Sequence, residues 1–108
     1  MPAKTDKIQD EGLRRSLEEA QAALKSGDYR KTVDLSAAAY VELLKRKPDM
    51  LQGVAQFRNV LFFPRLGAHL VVNSDGLPEV VYDREKFAFS EAITYWEFAV
   101  DNLLRAGV

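Results

Sequence analysis

His69, the only histidine in the chain, lies close in sequence to Arg58 and Arg65, and these are the residues whose types suit proton transfer or the holding of an anion. Imidazole titrates near neutrality and can act as a general base, while guanidinium groups hold phosphate or carboxylate in a fixed geometry. A base also needs a group that orients it, and spacing alone identifies none. His69 stands between Ala68 and Leu70, a setting that equally suits an ordinary structural histidine. Metal binding has less to build on. His69 has no second nitrogen or sulfur ligand, cysteine is absent, and Asp75 and Asp83 lack the density of a calcium loop. Gly67, Gly76 and Gly107 are scattered, and none opens a helix after a strand as a phosphate-binding loop requires. The expectation is no catalytic residue, no metal and no cofactor. Arg58, Arg65 and His69 are kept as ligand-site candidates for the case in which they share a pocket.

Charge narrows the partners. The 108 residues carry 15 Lys and Arg against 16 Asp and Glu, a formal net charge of -1, so no overall field gathers nucleic acid or an anionic membrane. Lys45, Arg46 and Lys47 would form a phosphate-contacting patch with Lys25, Arg30 and Lys31. Positive charge in the last turn of a helix is, however, already explained by the helix dipole. Nucleic acid is not expected as a partner. Met1 to Asp10 lacks the apolar core of a signal peptide, and no stretch reaches the length of a membrane span, so a cytoplasmic location is expected and no membrane.

The elements that position these residues follow from apolar spacing. Residues 1–12 are polar and aperiodic and read as a flexible lead-in to a single helical domain over 13–108. Leu13, Leu17, Ala20 and Leu24 form one helical stripe, with Arg14 and Glu18, and Arg15 and Glu19, paired outside it. Gly27 ends this helix in a left-handed conformation, and Asp28 caps the next. From Tyr29 to Lys47 two adjoining stripes, one through Val33, Ala37, Tyr40 and Leu44 and one through Thr32, Leu35, Ala39 and Leu43, predict a helix with neighbours on two sides. Pro48 stops it. Asp49 with Gln52 reads as the cap of a third helix, whose stripe is Met50, Val54, Phe57 and Leu61 and which Pro64 ends. Leu70-Val71-Val72 and Val80-Val81-Tyr82 flank Asp75-Gly76, the signal of a short β-hairpin. Ser90 caps a last helix from Glu91 to about Arg105. The fold is therefore mainly α, about four helices in an antiparallel hairpin or bundle arrangement, with a β-hairpin before the last helix.

That last helix carries an apolar arc wider than one buried stripe. Ala92, Ile93, Trp96, Ala99, Val100, Leu103 and Leu104 form the inward face, and Tyr95 and Phe98 extend it towards Asn102. Either another part of the chain covers these surplus aromatics, or they form an association surface of the kind in which aromatics are enriched. Tyr95, Phe98 and Asn102 are the interface candidates.

Leu13 to Pro48, with Ala20 before the Gly27-Asp28-Tyr29 turn and Ala39 after it, resembles a single tetratricopeptide repeat. This implies a helical hairpin whose open face the remainder of the chain caps. Ala37 to Lys45 is also similar to the HEPN-like helical domain shared by prokaryotic and higher-eukaryotic nucleotide-binding proteins. Many members of that family are ribonucleases in which an Arg is followed, after a gap of four to six intervening residues, by a His. Here Arg65 and Arg58 precede His69 by three and ten intervening residues, so the nuclease signature is not met. The leading expectation is a non-enzymatic protein-interaction or scaffold domain that self-associates. The alternative is a HEPN-like nucleotide- or RNA-associated or toxin-type domain.

Overall fold

The computed structural model describes residues 4–55 and 63–108, the side chains of 52–55 excepted. Four helices and one hairpin follow in the order α1 (Glu11–Ser26), α2 (Tyr29–Arg46), α3 (Pro48–Ala55), β1 (Ala68–Val72), β2 (Pro78–Tyr82) and α4 (Phe89–Ala106). The mainly helical architecture matches the sequence pattern, and no described helix is long and apolar enough to cross a membrane.

α1 and α2 are joined by two residues. Gly27 has φ 88°, where a side chain would be strained, and its N–H bonds back to the carbonyls of Ala23 and Leu24. Asp28 accepts from the Lys31 N–H at 3.2 Å and so starts α2. The turn brings the two helices side by side, and small residues let them approach: the Thr32 hydroxyl lies 3.1 Å from the Ala20 carbonyl, within the buried seam. α2 is the central element. Val33, Ala37, Leu43 and Leu44 are fully buried between α1 and α4, as its two stripes predict. α4 closes the bundle by inserting Trp96, whose Nε1 donates to the Leu17 carbonyl at 2.8 Å.

Three local features differ from the sequence expectation. The lead-in is docked: residues Lys4–Lys7 form a 3-10 turn, Thr5 and Ile8 are buried, and Gln9 N–H bonds to the Val108 carbonyl at 3.1 Å. Ile8, one apolar residue in a polar stretch, provides the anchor. Pro48 opens α3 instead of merely ending α2, because its missing N–H is no loss in a first helical turn; Lys47 is the shared boundary, and its carbonyl accepts from Met50 and Leu51. α4 starts two residues early. Its N-cap is Ala88, not Ser90, and the Glu91 carboxylate accepts from the Ala88 N–H at 2.8 Å, supplying from N3 the bond that returns to the cap. Of the stripe expected in the third helix, Met50 is half-buried against the core, while Val54, Phe57 and Leu61 lie outside the described side chains.

The hairpin is antiparallel, with Leu70 opposite Val80 and Val72 opposite Pro78. Its Asn73–Leu77 loop is organised by the Asn73 side chain, whose oxygen accepts from Asp75 N–H at 2.9 Å and Leu77 N–H at 3.0 Å. Ala68 and Leu70 are buried on the inner face, and His69, Val71, Glu79 and Val81 share the outer one.

Candidate functional site

The hairpin and the chain on either side of it hold most of the polar contacts that apolar periodicity does not explain. Tyr95 is central to them. Its ring is 0% exposed, and its hydroxyl accepts from Leu66 N–H at 2.9 Å and Ala68 N–H at 3.0 Å while donating to the Ala68 carbonyl at 2.7 Å. The Ala68 groups lie on the outer edge of β1, where a neighbouring strand would otherwise pair, and the Leu66 N–H lies on the approach to it. One phenol thus does the work of a strand residue. Burial raises its pKa, since the phenolate would lose its hydration.

The other interface candidates lie beside it. Phe98 is half-buried, edge-on to Tyr40 at 5.0 Å and to Phe63 at 5.6 Å between ring centroids. The Asn102 side chain donates to the Phe98 carbonyl at 2.8 Å within α4. The wide apolar arc is therefore covered from inside the chain at Tyr95, and Phe98 joins an aromatic seam that runs through Tyr40, Phe63, Tyr95 and Phe87 to Tyr82. Tyr95 turns inward because β1 and its approach offer its hydroxyl two amides and a carbonyl.

Arg84, absent from the sequence reading, fastens the entrance of the hairpin. Its guanidinium donates to the Leu66 carbonyl at 2.7 Å, pairs with Glu91 and lies over the Phe87 ring. Gly67 is what lets it pass. With φ 119°, this residue would place a Cβ 2.6 Å from Arg84 Nε and 2.8 Å from the Phe87 ring. Across the hairpin the Arg30 guanidinium covers the Tyr82 ring at 3.8 Å, and Asp34 accepts from both Arg30 and the Tyr82 hydroxyl. Burial, together with that bond to Asp34, pushes the Tyr82 pKa well up.

His69 Nδ1 lies 3.0 Å from Asp83 Oδ2 on the outer face of the hairpin. With the proton on Nδ1, the pair fixes the ring and leaves the Nε2 lone pair as an acceptor, the arrangement of an oriented base. Asp83 is its only hydrogen-bond partner among the described residues, so neither a nucleophile nor an anion donor converges on it. Arg65 is exposed on the lead-in to β1, and Arg58 lies outside the described residues. Of the three ligand-site candidates, His69 and Arg65 alone fall among the described residues.

An open cleft of about 270 Å³ lies between the α1–α2 turn and the loop before α4, lined by Gly27 to Arg30 and Glu85 to Phe87. Its polar side chains do not converge on a common point of chemistry: Asp28 caps α2, and Arg30 is held by Asp34 and Tyr82. Among the described residues no group of three or more His, Asp and Glu side chains is placed to hold a metal ion. No family model matches the chain, and neither a curated protein nor a solved structure matches it.

Proposed function

We propose that this chain is a non-enzymatic protein-interaction domain that associates with a second copy of itself through the hairpin side of the molecule. The observation that carries the reading is where large apolar side chains stay exposed. Among the described residues Leu66, Leu77 and Val81 do so on the hairpin and its approach, and Phe89 is half exposed at the start of α4. Apart from Phe89, the described helical side chains bury theirs well, and the outward stripe of α4 through Ser90, Thr94, Glu97 and Arg105 is polar. A hairpin held rigidly by Tyr95 and Arg84 also presents its surface without an ordering cost on binding. Association through the hairpin covers part of this exposed apolar surface, Val81 above all, so the proposed surface moves from the expected α4 flank to the hairpin.

The test is light scattering on the purified chain against concentration, with Val81→Glu as the variant. The expected result is reversible self-association in the unmodified protein and loss of it in Val81→Glu, with unchanged circular dichroism. A chain that stays monomeric at millimolar concentration contradicts the reading.

A further inference from the structure

The backbone pattern of the hairpin identifies which groups are left for a partner. Asn73 N–H bonds to the Leu77 carbonyl at 2.8 Å and Asp83 N–H to the Gly67 carbonyl at 2.7 Å. In an antiparallel pair the bonded positions alternate, so with this register His69 and Val81, and Val71 and Glu79, exchange bonds within the hairpin. The backbone groups of Ala68, Leu70 and Val72 then point out of one edge, and those of Pro78, Val80 and Tyr82 out of the other. The two edges are managed differently. On β1, Tyr95 occupies the Ala68 amide and carbonyl and its side chain stands at that end of the edge, while the Leu70 and Val72 groups have no partner among the described residues. On β2, the Val80 and Tyr82 amides and carbonyls have no partner among the described residues. The usual protections of an edge are also thin there: β2 has no lysine, and its proline stands at its first position.

We propose that the β2 edge pairs antiparallel with the β2 edge of a second copy, about a two-fold axis at Val80, so that two hairpins join into one four-stranded sheet. This rests on the self-association proposed above and specifies its contact. A two-fold axis requires one surface to complement itself, and this edge does. Centred on Val80, it gives reciprocal bonds between the two Val80 residues. Each Tyr82 N–H then meets the carbonyl of the second copy's Pro78, where the missing proline N–H leaves no donor stranded. Glu79 faces the second copy's Val81 across the outer face and lays its aliphatic stem along it. The neighbouring register, centred on Val81, sets Glu79 directly against the second copy's Asp83, and like charges in that position repel. Four backbone bonds and a narrow apolar strip suit a weak, concentration-dependent dimer.

The experiment is amide hydrogen exchange by NMR on the full chain at low and high concentration, read together with light scattering. The expected result is that the Val80 and Tyr82 amides gain protection at least tenfold as the dimer fills, while the Val81 amide, already bonded within the hairpin, changes little. Val80→Pro, which removes an amide the hairpin itself does not use, should abolish the dimer, and Val80→Ala, which keeps the amide, should retain it. Should Val80→Pro fail to fold, the exchange of the unmodified chain decides. A dimer that leaves both amides unprotected overturns the strand pairing while the wider reading survives, and a chain monomeric at every concentration overturns both.

Discussion

The helical bundle and the hairpin side are held together by different physics. In the bundle, Leu17, Val33, Leu43, Leu44, Val100 and Leu103 are fully buried, and stability is spread over many interchangeable apolar contacts. On the hairpin side, fewer and more specific contacts hold the chain: the Tyr95 hydroxyl, the Arg84 guanidinium over Gly67, and the Arg30, Tyr82 and Asp34 cluster. A region of the first kind resists change everywhere a little. The second kind tolerates most changes and fails at a few residues, which suits a part that must present a shaped surface.

The largest effect should come from the bundle. Leu17→Ala and Trp96→Ala remove side chains at the α1–α4 contact and should each cost about 3–5 kcal/mol, seen as one cooperative loss of helical signal in urea. If the hairpin melted first in these variants, the contrast would be misdrawn. Gly67→Ala should cost about 2 kcal/mol, through its positive φ and the displaced Arg84. Near-ultraviolet circular dichroism should report it through Phe87 and Tyr95 before far-ultraviolet signal changes. Gly27→Ala meets nothing within 4 Å and should cost only about 1 kcal/mol from backbone strain. Equal costs at the two glycines would deny Arg84 its role.

Titration separates the regions more gently. Burial raises the pKa values of Tyr40, Tyr82 and Tyr95 above the ordinary 10.0. A raised folded-state value means that these phenols contribute stability fully below about pH 10 and lose it as pH rises through the folded values. Tyrosinate absorbance should therefore lag behind that of the urea-unfolded chain, and denaturation midpoints should fall above pH 10. At the acid end Asp10 is the sensitive group of the helical side. Its carboxylate accepts from the Leu13 N–H and pairs with Arg46, which lower its pKa from 3.8. The resulting stability is present above that value and is lost as pH falls below it. Asp10→Asn, which keeps the cap but not the charge, should flatten this acid dependence with the smallest change in melting temperature of the set.

Much of the bundle was legible because it depends on local rules. The stripe through Leu13, Leu17 and Leu24, the left-handed Gly27 and the strands around Asp75-Gly76 each follow from residues within a few positions of one another. What escaped depends on distant pairs. A helical wheel showed that Tyr95 and Phe98 widen the apolar arc, yet it could not show that a strand edge 27 residues earlier would receive the Tyr95 hydroxyl. Asp83 beside His69 follows from the hairpin register, since both fall on the outer face. Arg84 over Gly67 had no such signal, because the close approach belongs to the folded loop alone.

Tyr95→Phe tests the division most directly, since it removes one oxygen from the centre of the hairpin anchorage and leaves the ring in the core. Three backbone groups then lose their partner, a loss worth about 2–3 kcal/mol. Native-state amide exchange should show β1 and β2 opening at least tenfold more readily, while α1 and α2 keep their protection relative to global unfolding. Equal loss of protection across hairpin and helices, or none in either, would contradict the account.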